Sequence, residues 1–282
     1  MAMVSNAQQS KVEAATEFLQ KNNLDSAKAN INSAVANPET ANDANAWYIR
    51  GFVYKAIFNK NEKADKKSPA RIEALNSFKK SISFDDNKVL TTENVKAIKF
   101  LVNTLHNHAA EALDPVDYKI AIEVFEKFKE YYKLVDPSPE TMQQKEIEFD
   151  LALASVYNTI IDGDKKGSAK FVTLAKNLYN KILTLDQDNI AANMGMAKLF
   201  YNQGVNLILA QELDLDIVNI DGVQDRSVKL FKESLPFMEK AYSLDQSRPE
   251  TIEGLTGIYY SLHEDEKYTI FKKRLEDIKK PK

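Results

Sequence analysis

This chain contains no cysteine, so disulfides, thiolate catalysis and cysteine-based metal sites are excluded at the outset. The absence leaves the redox compartment open, because a cysteine-free chain is at ease in either environment. Turn residues are scarce: 8 glycines and 8 prolines in 282 residues suit long helices joined by short connections. No apolar run approaches the ~20 residues that a helix needs to cross a bilayer, so membrane insertion is not expected. An excess of one charge is also lacking. The net charge of −3 argues against a broad electrostatic footprint for nucleic acid. Histidine is limited to His106, His108 and His263. Residues two apart on a helix point about 200° apart, so His106 and His108 cannot share an ion, and neither a metal nor another cofactor is expected.

What the chain does have is a helix-exit signal that returns four times. It reads Phe84-Asp85-Asp86-Asn87, Val135-Asp136-Pro137-Ser138, Leu185-Asp186-Gln187-Asp188 and Leu244-Asp245-Gln246-Ser247. The first aspartates are 51, 50 and 59 residues apart. Each follows an apolar stretch with helical spacing. Self-similarity at a period of this size marks stacked supersecondary units. No strand alternation and no Asn-Gly hairpin turn interrupts the pattern, so the fold class is expected to be all-α.

Six helical pairs can be drawn. They run from about Ser10 to Ala36, Ala41 to Ser83, Thr92 to Leu134, Pro139 to Leu185, Ile190 to Leu244 and Pro249 to Lys279. In the third pair, Val95, Ile98, Val102, Leu105, Ala109 and Ala112 alternate three and four apart and form one apolar stripe. Ser68-Pro69, Asp114-Pro115 and Ser138-Pro139 each read as an N-cap followed by proline at the first helical position. Pro236 falls inside the last helix of the fifth pair and predicts a kink or a late start there. The expected organisation is a single domain over 10–282, with an acidic-apolar insertion at 212–225.

Residues 1–9 are expected to be an export-signal remnant or an added tail, since Ser5-Asn6-Ala7 has the small-x-small form of a signal-peptidase site. On that reading a periplasmic or exported location is favoured over a cytoplasmic one.

The second pair contains Trp47-x2-Arg50-Gly51-x2-Tyr54, then Ala74-x3-Phe78-x2-Ser81. This resembles the tetratricopeptide repeat, whose pattern is Trp-x2-Leu-Gly-x2-Tyr followed by Ala-x3-Phe-x2-Ala and a proline. The departures are Arg50, Ser81 and Asp86. Diluted matches follow at Leu153-Ala154-x2-Tyr157, Ala175-x3-Tyr179, Met196-Ala197-x2-Phe200, Met238-x2-Ala241 and Leu255-Thr256-x2-Tyr259. The third pair keeps only Ala121-x3-Phe125-x2-Phe128. The period of about 50 exceeds the family's ~34. The resemblance implies a right-handed α-solenoid of about six stacked antiparallel pairs, with the small residue at Gly51 letting two helices approach closely.

In that family the first helix of each pair lines the concave face. The positions so mapped are Asn45, Tyr48, Phe52 and Lys55 in the second pair, and Glu148, Leu151, Ser155 and Asn158 in the fourth. The fifth contributes Met194, Lys198, Tyr201 and Asn202, and the sixth Glu253 and Tyr260. Aromatic and amide groups in this mixture suit an extended peptide. The Lys and Asn clamp by which some members hold a C-terminal carboxylate is missing, with Ile49, Phe52 and Gly195 among its positions.

Other candidates are weaker. Asp162-Gly163-Asp164-Lys165-Lys166-Gly167-Ser168 fails as a calcium loop, with Lys166 where Asp or Asn is required and Thr173 where a bidentate Glu is, and reads as an exposed turn. Asp214, Asp216, Asp221 and Asp225 form an acidic cluster whose interleaved apolar residues make it a candidate contact surface rather than an ion site. No serine sits in a Gly-x-Ser-x-Gly elbow. The basic end, Lys272-Lys273-Arg274 and Lys279-Lys280-Pro281-Lys282, complements the dipole of the last helix.

The expected function is therefore a non-enzymatic scaffold that binds a protein or peptide through its concave face. A bacterial cell-envelope assembly, transport or secretion machine is the expected setting. The alternatives are a self-assembling homo-oligomer, and an enzyme or small-ligand receptor near Glu146, Glu148 and Asp150.

Overall fold

The structure, a computed structural model, describes residues 2–164, 168–213 and 220–279, with side chains described over 9–164, 168–210 and 222–279. Among them there is no strand, and the fold is all-α. Two compact units divide the chain, residues 1–142 and 143–282.

The first unit holds α1 (Ala2–Gln20), α2 (Leu24–Val35), α3 (Ala44–Ile57), α4 (Pro69–Phe84), α5 (Thr91–Glu111) and α6 (Tyr118–Tyr132). They pack as successive pairs, α1 on α2, α3 on α4 and α5 on α6. Helix α7 (Pro139–Gly163) lies mainly in the second unit, followed by α8 (Ala169–Leu185), α9 (Ile190–Leu213), α10 (Ile220–Leu244), α11 (Pro249–Ser261) and α12 (Asp265–Lys279). Helices α7 and α8 run antiparallel: Gln143 donates to the Leu185 carbonyl at one end, and the Tyr157 and Phe171 rings meet at 5.6 Å at the other. The pairs α9 with α10 and α11 with α12 complete this unit.

The returning aspartate has a local cause. Asp136 Oδ1 accepts from Ser138 N at 2.9 Å, Asp186 Oδ1 from Asp188 N at 3.1 Å, and Asp245 Oδ1 from Ser247 N at 3.1 Å. Each carboxylate thus closes an Asx turn that stops one helix and redirects the chain into the next. Asp85 does the same over a wider span, accepting from Val89 N, Leu90 N and the Thr91 hydroxyl.

Within a pair, the helices close on small residues. A Cβ at Gly51 would lie within 3 Å of the Phe78 ring, and Phe78 is fully buried, so only glycine allows α3 and α4 this separation. Gly204 of α9 meets Phe231 of α10 in the same way and at the same sequence interval. Three residues beyond each aromatic, a serine ties the pair again. Ser81 Oγ donates to the Ala44 carbonyl and Ser234 Oγ to the Ala197 carbonyl, both at 2.8 Å. Each fully buried Phe contributes on the order of 2–3 kcal/mol by leaving water.

The long period also has a packing basis. After α3 a π segment, Phe58–Glu62, carries Phe58 into the core, and Glu62 Oε2 then accepts from the Ser68 hydroxyl and Ala70 N. The charged connection that follows is pinned to α6, Lys66 pairing with Asp117 at 2.8 Å and Lys67 with Glu123. The extra residues therefore join the second pair to the third.

Ser68 and Ser138 do precede helices that start at Pro69 and Pro139, Ser68 Oγ accepting from Arg71 N at 3.0 Å. The expectation for Asp114-Pro115 is corrected. Asp114 Oδ1 accepts from Val116 N and Asp117 N, and this turn delays α6 to Tyr118. A late start at Pro236 is also corrected, because α10 runs through it. Pro236 is exposed, so the carbonyl it leaves without a helical donor can meet water. Residues 165–167 of the expected turn and 214–219 of the expected insertion lie outside the described residues, as do 280–282 of the basic end.

Candidate binding surfaces

On the first unit, the α3 positions taken from the motif share one helical face. Asn45 is exposed; Tyr48 and Phe52 are half-buried with ring centroids 4.8 Å apart. Phe52 stands edge-on to Phe78 at 5.2 Å, which fixes its ring against the buried interior of the pair. Lys55 Nζ then lies 5.4 Å from the Phe52 centroid and 4.8 Å from that of Phe100, on α5. An ammonium held between two rings is partly desolvated, and burial lowers the Lys55 pKa from its ordinary value. Burial raises the Tyr48 phenol, with the Glu93 carboxylate of α5 adding to the effect. The result is a strip of three aromatic rings with one cation, open along α3 and α5.

Phe100 is 42% exposed and was not among the motif positions, because the third pair carries almost none of the repeat pattern. Its signal was present only as an aromatic residue lying off the apolar stripe of α5.

On the second unit, Asn158 of α7 and Lys198 and Asn202 of α9 line one cavity of about 530 Å³. Gln203, Asn206 and Asp162 add to its polar wall, and Ile161, Val172, Leu199 and Leu230 to its apolar one. Asn158 Nδ2 donates to the Tyr179 hydroxyl at 2.9 Å, which orients the amide and leaves its oxygen as an acceptor. Tyr179 is buried, and burial raises its phenol pKa against the opposing hydrogen bond from Asn158. Gln203 Nε2 is fixed on the Leu199 carbonyl at 3.0 Å, again presenting its oxygen. The cavity thus offers amide donors and acceptors beside an apolar surface.

The remaining mapped positions sit elsewhere. Tyr201 is half-buried with its ring 5.3 Å from Phe231, and Tyr260 is 66% exposed beside Tyr268. Met194 is buried in an apolar cluster with Met238, Leu255 and Tyr259. Among the other first-helix positions, Glu148 and Ser155 are exposed, and Glu148 accepts from Gln144 at 3.0 Å.

The acidic group near Glu146 has a structural partner. Lys181 Nζ lies 2.8 Å from Asp150 Oδ2 and 3.2 Å from Glu146 Oε1, and burial of Lys181 is outweighed by these two carboxylates, which raise its pKa. His106 packs on the Phe128 ring at 5.2 Å while His108 faces Arg71, so the two histidines diverge as helical geometry requires. Among the described residues, no three His, Asp or Glu side chains converge in a group able to hold a metal, and no helix is long and apolar enough to cross a membrane.

No family model and no curated protein sequence matches this chain. Solved structures do. One is PilF of Pseudomonas aeruginosa, at 11% identity and TM-score 0.38, covering 97% of this chain and 92% of that one. Another is PilW, described as a widely conserved type IV pilus biogenesis factor, at 17% identity and TM-score 0.30 over 96% and 93%. A third is a tetratricopeptide repeat protein from Parabacteroides merdae, at 16% identity and TM-score 0.27 over 98% and 95%. The glycine-under-aromatic and serine-to-carbonyl contacts recur in α3–α4 and α9–α10, so two helix pairs of this all-α chain share one packing scheme.

Proposed function

We propose that this protein is a non-enzymatic scaffold that holds a protein partner by an extended peptide segment on its first-helix faces, the faces that the repeat resemblance makes concave. The observation that carries the reading is the cavity of the second unit. Asn158, Lys198 and Asn202, from separate stretches of sequence, meet there with free amide acceptors above an apolar floor. The aromatic strip of the first unit supplies a second set of anchors, of the kind that dominate peptide affinity when buried. Specificity would come from which apolar side chains fit between Tyr48, Phe52 and Phe100.

The test is a display selection of random peptides on the whole chain, followed by affinity measurement on variants. Peptides that depend on the cavity should lose about tenfold or more on Asn158→Ala combined with Asn202→Ala, with the helical circular dichroism unchanged. Peptides that bind the double variant and Phe52→Ala as tightly as the parent would move the site off both surfaces.

The finer reading, an accessory of a bacterial cell-envelope machine, rests on the Ser5-Asn6-Ala7 pattern alone. Cell fractionation of the protein expressed from its own locus tests it, and a purely cytosolic distribution rejects it. A second reading is a homo-oligomer. It is favoured by α12, which has no buried residue and leaves Ile270 52% and Ile278 43% exposed. Light scattering over a concentration series separates the two.

A further inference from the structure

On the opposite side of α3 from the aromatic strip, the first unit carries a cavity of about 700 Å³, framed by α2, α3 and α4. Trp47, Val35 and Ala36 give it an apolar surface, and Lys79 and Lys80 stand at its edge. The donors and acceptors of this cavity are unequal. Its one carboxylate, Glu73, takes Arg50 Nη2 at 2.6 Å. Asn32 Oδ1 takes Arg50 Nε at 2.9 Å, and Asn76 Oδ1 takes the Tyr131 hydroxyl at 2.7 Å. Arg50 also turns inward, its Nη1 donating to Ser77 Oγ at 2.6 Å.

What is left over is donor and cation. The Asn76 amide N–H groups and the Lys79 ammonium have no acceptor among the described residues, and the Lys80 ammonium lies 4.0 Å over the Trp47 ring with no carboxylate on it. A surface whose one carboxylate is paired with Arg50 and which keeps two unpaired ammoniums beside an apolar floor is complementary to a ligand bearing both carboxylates and apolar groups. The cavity has far more room than a lone carboxylate or phosphate fills.

We propose that this face binds an acidic peptide segment in which carboxylate and apolar residues alternate. In an extended chain such residues point to opposite sides. The apolar ones would cover Trp47 and Val35, and the carboxylates would meet Lys79 and Lys80. This site is independent of the first-helix faces and stands or falls apart from them.

Trp47 is the chain's only tryptophan, so its emission reports on this cavity alone. The probe is an end-blocked peptide of alternating Glu and Leu, titrated into the whole protein while emission and heat are followed. The expected result is a saturable emission change that weakens with added salt. It should also weaken about tenfold or more in Lys79→Ala combined with Lys80→Ala, whose melting curve should match the parent's, both lysines being exposed. Three results would overturn the proposal: the same peptide with Gln for Glu binding within about twofold of the acidic one, heat of binding without any change at Trp47, or unchanged affinity in the double variant. Inorganic phosphate alone is the last arm. If it saturates the same emission change and the peptide does not displace it, the cavity is a free-anion site and the peptide assignment is wrong.

Discussion

Arg71 Nη1 stands 3.0 Å from Nδ1 of His108, and both lie in the packing between α4 and α5. Arg71 is only 1% exposed, and burial lowers its pKa to about 10, with Asp65 opposing the fall. It is therefore still charged at neutral pH. Its hydrogen-bond partners are Thr104 Oγ1, the Lys66 carbonyl and His108. Because a guanidinium only donates, His108 Nδ1 must accept, which requires the neutral ring.

The first prediction concerns pH. Burial lowers the His108 pKa from 6.5, and the Arg71 charge lowers it further; Glu111 and Asp65 oppose, and Lys66 reinforces. With the folded value below the unfolded one, the unfolded chain takes up the proton first. Stability is then greatest above about pH 6.5, falls as pH drops from there through the folded pKa, and levels off below it. Thermal melting between pH 7 and pH 5 should show this decline. His108→Gln, which keeps an acceptor for Arg71 but does not titrate, should flatten it. A decline of the same size in the variant assigns the effect to other groups.

Replacing Gly51 with alanine sets helix propensity against packing. The new methyl would lie within 3 Å of the Phe78 ring, which is fully buried and has no room to retreat. Overpacking of this kind costs ~1–3 kcal/mol, and alanine's better propensity returns up to ~1 kcal/mol. Gly51→Ala should therefore lower stability by on the order of 1 kcal/mol in chemical denaturation. Phe78→Leu should be less harmful in the Gly51→Ala background than in the parent. An additive double variant would mean that the two residues do not constrain each other.

The helices and their pairing were legible because they rest on local chemistry. An apolar stripe such as Ile98, Val102 and Leu105 and an aspartate that closes a turn are both written in neighbouring residues. The α3 face was legible for the same reason, since Trp47, Gly51 and Tyr54 fix its rotation. Phe100 was not, because it reaches that face by tertiary packing of a helix without the motif. In the fifth pair the register lies in Gly204, Phe231 and Ser234, which repeat the intervals of Gly51, Phe78 and Ser81. The repeat pattern marks Gln203-Gly204 on α9 but pairs it with Met238 and Ala241 rather than Phe231 and Ser234, and Gln203 and Asn206 of the cavity wall are not among the positions it maps to the concave face. Met194 occupies an earlier turn of α9, which packs into the apolar cluster.

A third prediction concerns Lys181 and Asp150. The Asp150 side chain is 8% exposed and that of Lys181 45%, so the pair is half in water. Truncating the lysine removes the ammonium that faces a largely buried carboxylate, yet solvent near the amine moderates the loss. Lys181→Met should cost about 1–2 kcal/mol, and adding Asp150→Asn should recover part of it. If Lys181→Met is neutral, the carboxylate is better solvated than its burial implies, and the reading of this cluster as a structural pair fails.

The last prediction turns on Ser81, which stands where the repeat pattern has alanine. Its hydroxyl donates to the Ala44 carbonyl at 2.8 Å and accepts from Asn94 Nδ2 at 2.9 Å, bridging α4 to its own partner helix and to α5 of the next pair. Ser81 and Asn94 are both fully buried, and Asn94 Oδ1 already has no partner. Ser81→Ala brings in the residue of the repeat pattern but leaves the Asn94 amide without an acceptor, at a cost of ~1–3 kcal/mol. Ser81→Ala with Asn94→Leu removes both polar groups and should be close to neutral, because no buried donor is then stranded. Denaturation of the parent, the two single variants and the double variant measures this coupling. The expected order makes Ser81→Ala alone worse than the double variant. The reverse order would mean that Asn94 is held by contacts other than Ser81, and that the polar bridge does not join the second pair to the third.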